Sequence, residues 1–237
     1  MQKPTIVLVH GAFADSATWD GVTAKLQTHG YTTIVVANPL RSLSGDAAYV
    51  ATIVKQVYGP VVLVGHSYGG AVITNAASGA DNVKALVYVA ALAPDEGESA
   101  FDLIGKFPGS LVGASLAAPV PLDGGGKDFY VDQRKYREPF AADLPDARVR
   151  VLAATQRPVT EAALKDVSGA PAWKSIPSWF VYGTADRSIP PALHEFMAKR
   201  ANARETVVVK SASHLVLISH ADAVEKVIED AAHAVNP

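Results

Sequence analysis

The chain has 237 residues, no cysteine, 49% hydrophobic content, and 21 lysines and arginines against 23 aspartates and glutamates, for a formal net charge of -2. That length and apolar content suffice for a full core in one domain with an insertion. The charge balance, free of any basic run, gives no footprint for nucleic acid or anionic lipid, and the lack of thiols excludes disulfides, thiolate nucleophiles and zinc-thiolate sites.

The opening residues, Met1 to Thr5, pass directly into Ile6–Val9, too short for a secretory h-region and without a cleavage site. No apolar run approaches the ~20 residues of a membrane helix, and the expected location is cytoplasmic. Strand-like runs then follow at Thr5–Val9, Thr32–Ala37, Val61–Gly65, Ala85–Ala90, Ser178–Gly183 and Glu205–Lys210. Each is apolar on both faces, which predicts a parallel sheet covered on both sides. Helical patterns lie between them at Ala17–His29, Asp46–Tyr58 and Gly70–Ser78, then at Pro190–Arg200 and Ala221–Ala234. In the last, Val224, Val227, Ile228, Ala231 and Val235 fall at helical spacing. Pro190-Pro191 suits a first turn, where a missing N–H costs little. The alternation predicts a doubly wound α/β fold with a mostly parallel six-stranded sheet in the order 2-1-3-4-5-6.

One interval breaks the rhythm. Between Leu92 and Ile176 the chain runs about 85 residues without a clear strand, too long for a connection. It is expected to be a helical cap, with helices near Pro145–Thr155 and Thr160–Ser168, so that residues 1–91 and 177–237 form the core and 92–176 the insertion. Phe101, Ile104, Phe107, Leu111, Leu116, Phe129, Tyr130 and Phe140 are too many large apolar groups for a disordered loop. Phe101, Ile104, Phe107, Leu111 and Leu116 are candidates to line a cleft.

The third strand ends in Gly65-His66-Ser67-Tyr68-Gly69, a G-x-S-x-G pattern with an apolar strand before it and a helix after it. That context throws a serine hydroxyl out of the sheet on a sharp turn and aims the next N–H, that of Tyr68, at a developing oxyanion. A serine needs a base, and the base needs an orienting group. His214, just past the last strand, is the candidate base. His29, His194, His220 and His233 fall on predicted helices or their ends and read as solvated surface groups, while His10 and His66 read as packing around turns. For the orienting carboxylate the sequence offers Asp186 after strand five and Asp95 or Glu96 after strand four. Asp186 is favoured by the short turn that leads to Pro190-Pro191, and the resulting order is Ser, Asp, His. His10-Gly11-Ala12-Phe13 closes the first strand, and Ala12 is the candidate second oxyanion donor.

The stretches VLVHGAFADSATWDGV, VVLVGHSYGGAVI, ALVYVAALAPDE, WFVYGTADRSIPP and SASHLVLISHADAV resemble the α/β-hydrolase superfamily over almost the whole chain. Within it they are similar to small bacterial carboxylesterases and to plant methylesterases and hydroxynitrile lyases. The resemblance implies a nucleophile at Ser67, an acid at Asp186, a base at His214 and oxyanion donors at Ala12 and Tyr68. The first, antiparallel strands of larger members have no counterpart here. Members that use a carboxylate nucleophile, epoxide hydrolases and haloalkane dehalogenases, do not fit a serine at position 67. Hydroxynitrile lyases carry threonine where this chain has Gly11 and lysine where it has Leu215. The implied activity is ester hydrolysis, with a small-molecule ester as partner and no metal or organic cofactor; if Phe101, Ile104, Phe107, Leu111 and Leu116 line the cleft, the expected substrates are small or medium apolar esters. A ligand-binding receptor of the same fold is the rival, although such proteins often lose a triad member and all three are present.

Overall fold

A computed structural model describes residues 3–235. Six strands, β1 (Thr5–Val9), β2 (Thr33–Val36), β3 (Val61–His66), β4 (Val83–Val89), β5 (Ser178–Gly183) and β6 (Glu205–Val209), form one sheet. All pairings are parallel, in the spatial order β2-β1-β3-β4-β5-β6. This is the expected doubly wound order. The reversal falls between β1 and β3, so the loops that follow these two strands open one crevice at the carboxyl edge.

The helices are α1 (Asp20–Thr28), α2 (Leu43–Lys55), α3 (Tyr68–Ala76), α4 (Asp146–Thr155), α5 (Glu161–Lys165), α6 (Pro191–Arg200) and α7 (Ala221–Ala234), with shorter helical turns between some of them. In α7 the predicted stripe is realised, with Val224, Val227, Ile228 and Ala231 buried. Helices α1 and α7 pack together, as do α2 and α3, the pairing expected when helices cover opposite sheet faces. Ser42 starts α2 by accepting the Gly45 N–H at 3.1 Å. Among the described residues no helix is long and apolar enough to cross a membrane.

Two expectations change. The edge strands are not covered on both sides: β2 is half-buried along most of its length, and β6 exposes alternate residues, leaving Val208 49% exposed. A sheet edge has a neighbour on one side only, which sequence runs of valine do not reveal. The insertion also contains strands. Val120–Pro121, Lys127–Phe129 and Val159–Thr160 form a small antiparallel sheet. Segments of two or three residues carry no readable alternation, and they escape sequence patterning for that reason. The segment between β4 and β5 is tied to the loop after β2, where Arg41 pairs with Asp128 at 2.8 Å and Leu40 C=O accepts the Thr160 N–H at 3.1 Å.

Candidate active site

Strand β3 delivers Ser67 onto a strained turn. Its φ of 55° and ψ of -126° lie in a region that side-chain-bearing residues rarely occupy. The turn is over-determined by its neighbours: Ser67 N–H donates to Val89 C=O at 3.3 Å, and Ser67 C=O accepts from Gly70 and Leu92 N–H, each at 3.0 Å. Its glycines are required by close approach, since a Cβ on Gly69 would lie 2.5 Å from Val9 O. Helix α3 begins at the next residue, Tyr68, and Ser67 does not cap it, which leaves the hydroxyl free of that bond. The Tyr68 phenol turns inward and donates to Asp46 on α2 at 2.9 Å.

The turn after β1 lies directly against this elbow. A Cβ on Gly11 would sit 2.5 Å from Ser67 Cβ and 3.1 Å from its Oγ. Phe13 adopts φ 58°, with its N–H donated to Arg157 C=O at 3.1 Å and its C=O accepting from Tyr136 Oη at 2.9 Å. His10 braces the base of the turn: Nδ1 bonds Gly11 O at 2.9 Å, and Nε2 accepts the Asn38 N–H at 3.1 Å. Burial pushes its pKa down to about 4, so it is neutral near pH 7. Ala12 is held between these fixed points and faces the same cavity as Ser67 and Tyr68.

His214 and Asp186 are brought together by the ends of β5 and β6. A Cβ on Gly183 would lie 2.0 Å from Ala212 O, so only glycine lets the two loops approach this closely. Thr184 N–H donates to Val209 O and Ala185 N–H to Ala212 O, both at 3.0 Å. Across this junction His214 Nδ1 lies 2.8 Å from Asp186 Oδ2, with both side chains fully buried. Burial opposes ionisation of Asp186, but the neighbouring His214 and His194 outweigh it and hold the carboxyl well below its usual range. His214 Nε2 is buried and has no hydrogen-bond partner, Ser67 Oγ included. His66, next to Ser67, donates from Nε2 to the His214 carbonyl at 3.2 Å, and the two rings lie 4.8 Å apart. Burial and the adjacent His214 keep His66 neutral.

The residues flanking His214 are strapped to the insertion. Leu215 N–H donates to Phe140 C=O at 2.9 Å, and Ser213 bonds the Asp143 carboxylate through its N–H and its hydroxyl, whose oxygen also lies 3.1 Å from Phe140 O. The Phe140 ring meets His214 edge-on at 5.6 Å.

A cavity of about 490 Å³ opens on Ser67. Its wall is almost wholly apolar, with Phe13, Leu92, Phe101, Ile104, Leu116, Phe129, Phe140 and Ile189 contributing. The charged pair on it, Glu161 and Lys165, is internally bonded at 2.8 Å. Of the five insertion residues expected to line a cleft, Phe101, Ile104 and Leu116 do so. Phe107 instead packs on Phe196 at 5.7 Å, and Leu111 is turned toward the Asp186–Pro191 turn, where its N–H donates to Arg187 C=O. Apolar character cannot distinguish a wall residue from one that fastens the wall.

The other carboxylates considered after strand four are elsewhere. Asp95 pairs with Lys174 at 2.6 Å, and that bond lowers its pKa. His194 differs from expectation: it is not a surface group but fully buried, with Nε2 3.0 Å from Asp186 Oδ2. The sequence carried only a partial signal, the helical spacing of His194 from Met197 and Ala198, which does not say what the ring meets. In α6 the buried residues are Leu193, His194, Met197 and Ala198, so a histidine shares the apolar stripe. One group of metal-ligand type occurs among the described residues, His29 with Glu225 and Glu229 at the α1–α7 contact, where the imidazole already bonds both carboxylates at 2.6 and 3.0 Å.

Residues 6–227 match the model of a family described as "Alpha/beta hydrolase family". The alpha/beta hydrolase nvfD of Aspergillus novofumigatus is 27% identical over 258 residues, covering 98% of each chain. The pyrethroid hydrolase of Sphingobium wenxiniae is 27% identical over 253 residues, covering 99% of this chain and 89% of its own. Among solved structures, polyneuridine aldehyde esterase superposes with a TM-score of 0.83 at 18% identity, over 97% of this chain and 99% of that one, a likeness of fold.

Proposed function

The chain belongs to the alpha/beta hydrolase family, and from that premise we propose that it is a serine hydrolase of small or medium apolar carboxylic esters. The observation that carries this is the fully buried His214 Nδ1–Asp186 Oδ2 bond of 2.8 Å beside a serine held at positive φ on the wall of an apolar cavity. Ser67 Oγ attacks the ester carbonyl as His214 Nε2 takes its proton. The charge that develops on the carbonyl oxygen is received by the N–H groups of Ala12 and Tyr68, the latter at the positive end of α3. Collapse of the tetrahedral intermediate expels the alcohol, which takes the proton from His214, and water then attacks the acyl-enzyme by the same route. Asp186 holds the imidazole in the Nδ1–H tautomer and balances its positive charge. The sequence needs no metal or organic cofactor.

The wall of the cavity supports the substrate class. At about 490 Å³ it falls within the range of small-molecule sites, and its one cation, Lys165, is neutralised by Glu161. A charged acyl or alcohol group would lose hydration without a counterion, so the substrate is uncharged. Residues 92–176 serve as the cap over this site. The pyrethroid hydrolase among the relatives carries an activity in its name that is consistent with such a cavity. Cyanide-forming chemistry is not supported: position 11 is glycine, and position 215 is a buried, uncharged leucine where hydroxynitrile lyases carry lysine. A cytoplasmic location is part of the same proposal.

The test is turnover of a short-chain p-nitrophenyl ester together with labelling by a serine-directed phosphonate. Ser67 should gain the phosphonate mass, and Ser67→Ala should lower kcat by about 10³- to 10⁶-fold with the fold intact. Labelling elsewhere, or parental turnover in the alanine variant, removes Ser67 from the mechanism. Tight binding of esters without turnover by the parent would favour a receptor.

A further inference from the structure

Asp186 receives four donors, and one of them, the His194 imidazole, is a side chain with no part in the reaction described above. Its Oδ1 accepts the N–H groups of Ser188 and Ile189 at 2.8 and 2.9 Å, and its Oδ2 accepts both His214 Nδ1 at 2.8 Å and His194 Nε2 at 3.0 Å. His194 reaches the carboxylate from α6, eight residues along the chain from Asp186, and its side chain is almost wholly buried. Tyr182 of β5 stacks on its ring at 4.6 Å and 18°, which fixes the ring plane. Its Nδ1 is buried and has no partner. With a carboxylate at one nitrogen and no acceptor at the other, the single proton of the neutral ring belongs on Nε2. Burial, only partly offset by Asp186, keeps the ring neutral.

A buried polar ring with one nitrogen unsatisfied is a costly way to fill space on a helix stripe, where leucine would pack as well. We infer that His194 is a positioning residue: its Nε2–H pins Asp186 Oδ2, the oxygen that the backbone donors leave free, and draws off part of the charge that Oδ2 offers to His214. Two effects follow. The carboxylate cannot swing away from His214 Nδ1, and its pull on a proton held by His214 is weaker than that of a carboxylate bonded to His214 and backbone alone. The other titratable groups that face this cluster are His66 from β3 against His214, with His10 behind it, and Tyr182 from β5 against His194. Arg187, next in the chain, is exposed and paired with Glu138 at 3.0 Å.

The inference rests on the esterase reading for its catalytic meaning, and its test is chosen to separate the two. Imidazole ¹⁵N shifts of His214 are followed through a pH titration in the parent, His194→Leu and His194→Gln, without substrate, and kcat and KM are measured for each. Leucine removes the donor. Glutamine restores one that does not titrate. In His194→Leu the His214 titration and the acidic limb of kcat should move up by about half to one pH unit, kcat should fall about tenfold, and KM should stay within about twofold. His194→Gln should stay close to the parent in all three. Should the leucine variant not fold, His194→Asn, too short to reach Oδ2, takes its place with the same expectations. Equal behaviour of the donor-less and glutamine variants, or a parental His214 titration in a variant that has merely lost melting temperature, reduces His194 to packing. A parent that turns over no ester defeats the esterase reading, and the titration still decides the coupling.

Discussion

Replacing Gly11 with alanine should inactivate the protein without unfolding it. The added Cβ would stand 2.5 Å from Ser67 Cβ, 2.8 Å from His66 O and 3.1 Å from Ser67 Oγ. Ordinary carbon–carbon contact is about 3.5–4.0 Å, so the two turns must separate by about 1 Å. Neither gives easily, because Ser67 is tied to Val89, Gly70 and Leu92, and the β1 turn is tied through Phe13 to Arg157 and Tyr136. Forced overpacking of this kind costs about 1–3 kcal/mol, which for a chain of this size lowers the melting temperature by about 2–12 °C. The kinetic cost is larger. A nucleophile misplaced by about 1 Å relative to its oxyanion donors loses about 10²-fold in rate, and the loss should appear mainly in kcat. Ester turnover beside a thermal melt reads both effects. Parental kcat in a folded Gly11→Ala protein would refute the claim that the β1 turn and the elbow form one rigid oxyanion site.

Asp186→Asn should lower kcat by about 10⁴-fold by favouring the wrong imidazole tautomer, whereas Asp95→Asn, at a surface ion pair, should stay near the parent; steady-state kinetics rank them, and the reverse ranking moves the acid. Ile104→Ala, on the cavity wall, should alter the chain-length profile of kcat/KM, and Phe107→Ala, packed on Phe196, should lower the melting temperature and leave the profile unchanged. The neutral His10 predicts a pH slope. Its folded pKa of about 4 lies below the unfolded 6.5, so the unfolded state binds more protons between these values and stability falls as pH drops, by up to about 3 kcal/mol. Urea melts from pH 7 to 4 should show this slope, to which the buried, neutral His66 and His194 add in the same direction, and His10→Gln should reduce it without abolishing it.

The sheet was legible because strands β1 and β3 are buried throughout, and β4 everywhere except Lys84, and their valine-rich runs have no competing period. The tight turn at Ser67 was equally legible, since glycines at 65, 69 and 70 record close approaches that only a missing Cβ permits. His194 was not, because a helix pattern alone cannot tell whether a polar residue in the stripe meets water or a carboxylate supplied by the preceding turn. The division between Ile104, which lines the cavity, and Phe107, which does not, is likewise set by tertiary packing of short helical turns. Ser213 and Asp143 are 70 residues apart, and neither residue type advertises its partner.

The strap from Phe140 to Asp143 has a consequence for how this protein could change its diet. The segment whose aromatic ring shapes the cavity is also the segment whose carbonyl and carboxylate hold Ser213 and Leu215, the two neighbours of His214. Substrate preference and the seat of the imidazole therefore cannot drift separately. A chimera that imports another hydrolase's insertion would unfasten the imidazole as it remodels the cavity, unless residues 140–143 are left in place. Graft boundaries that spare those four positions should yield catalysts with new preferences, while boundaries drawn at the ends of the insertion should yield folded but sluggish ones.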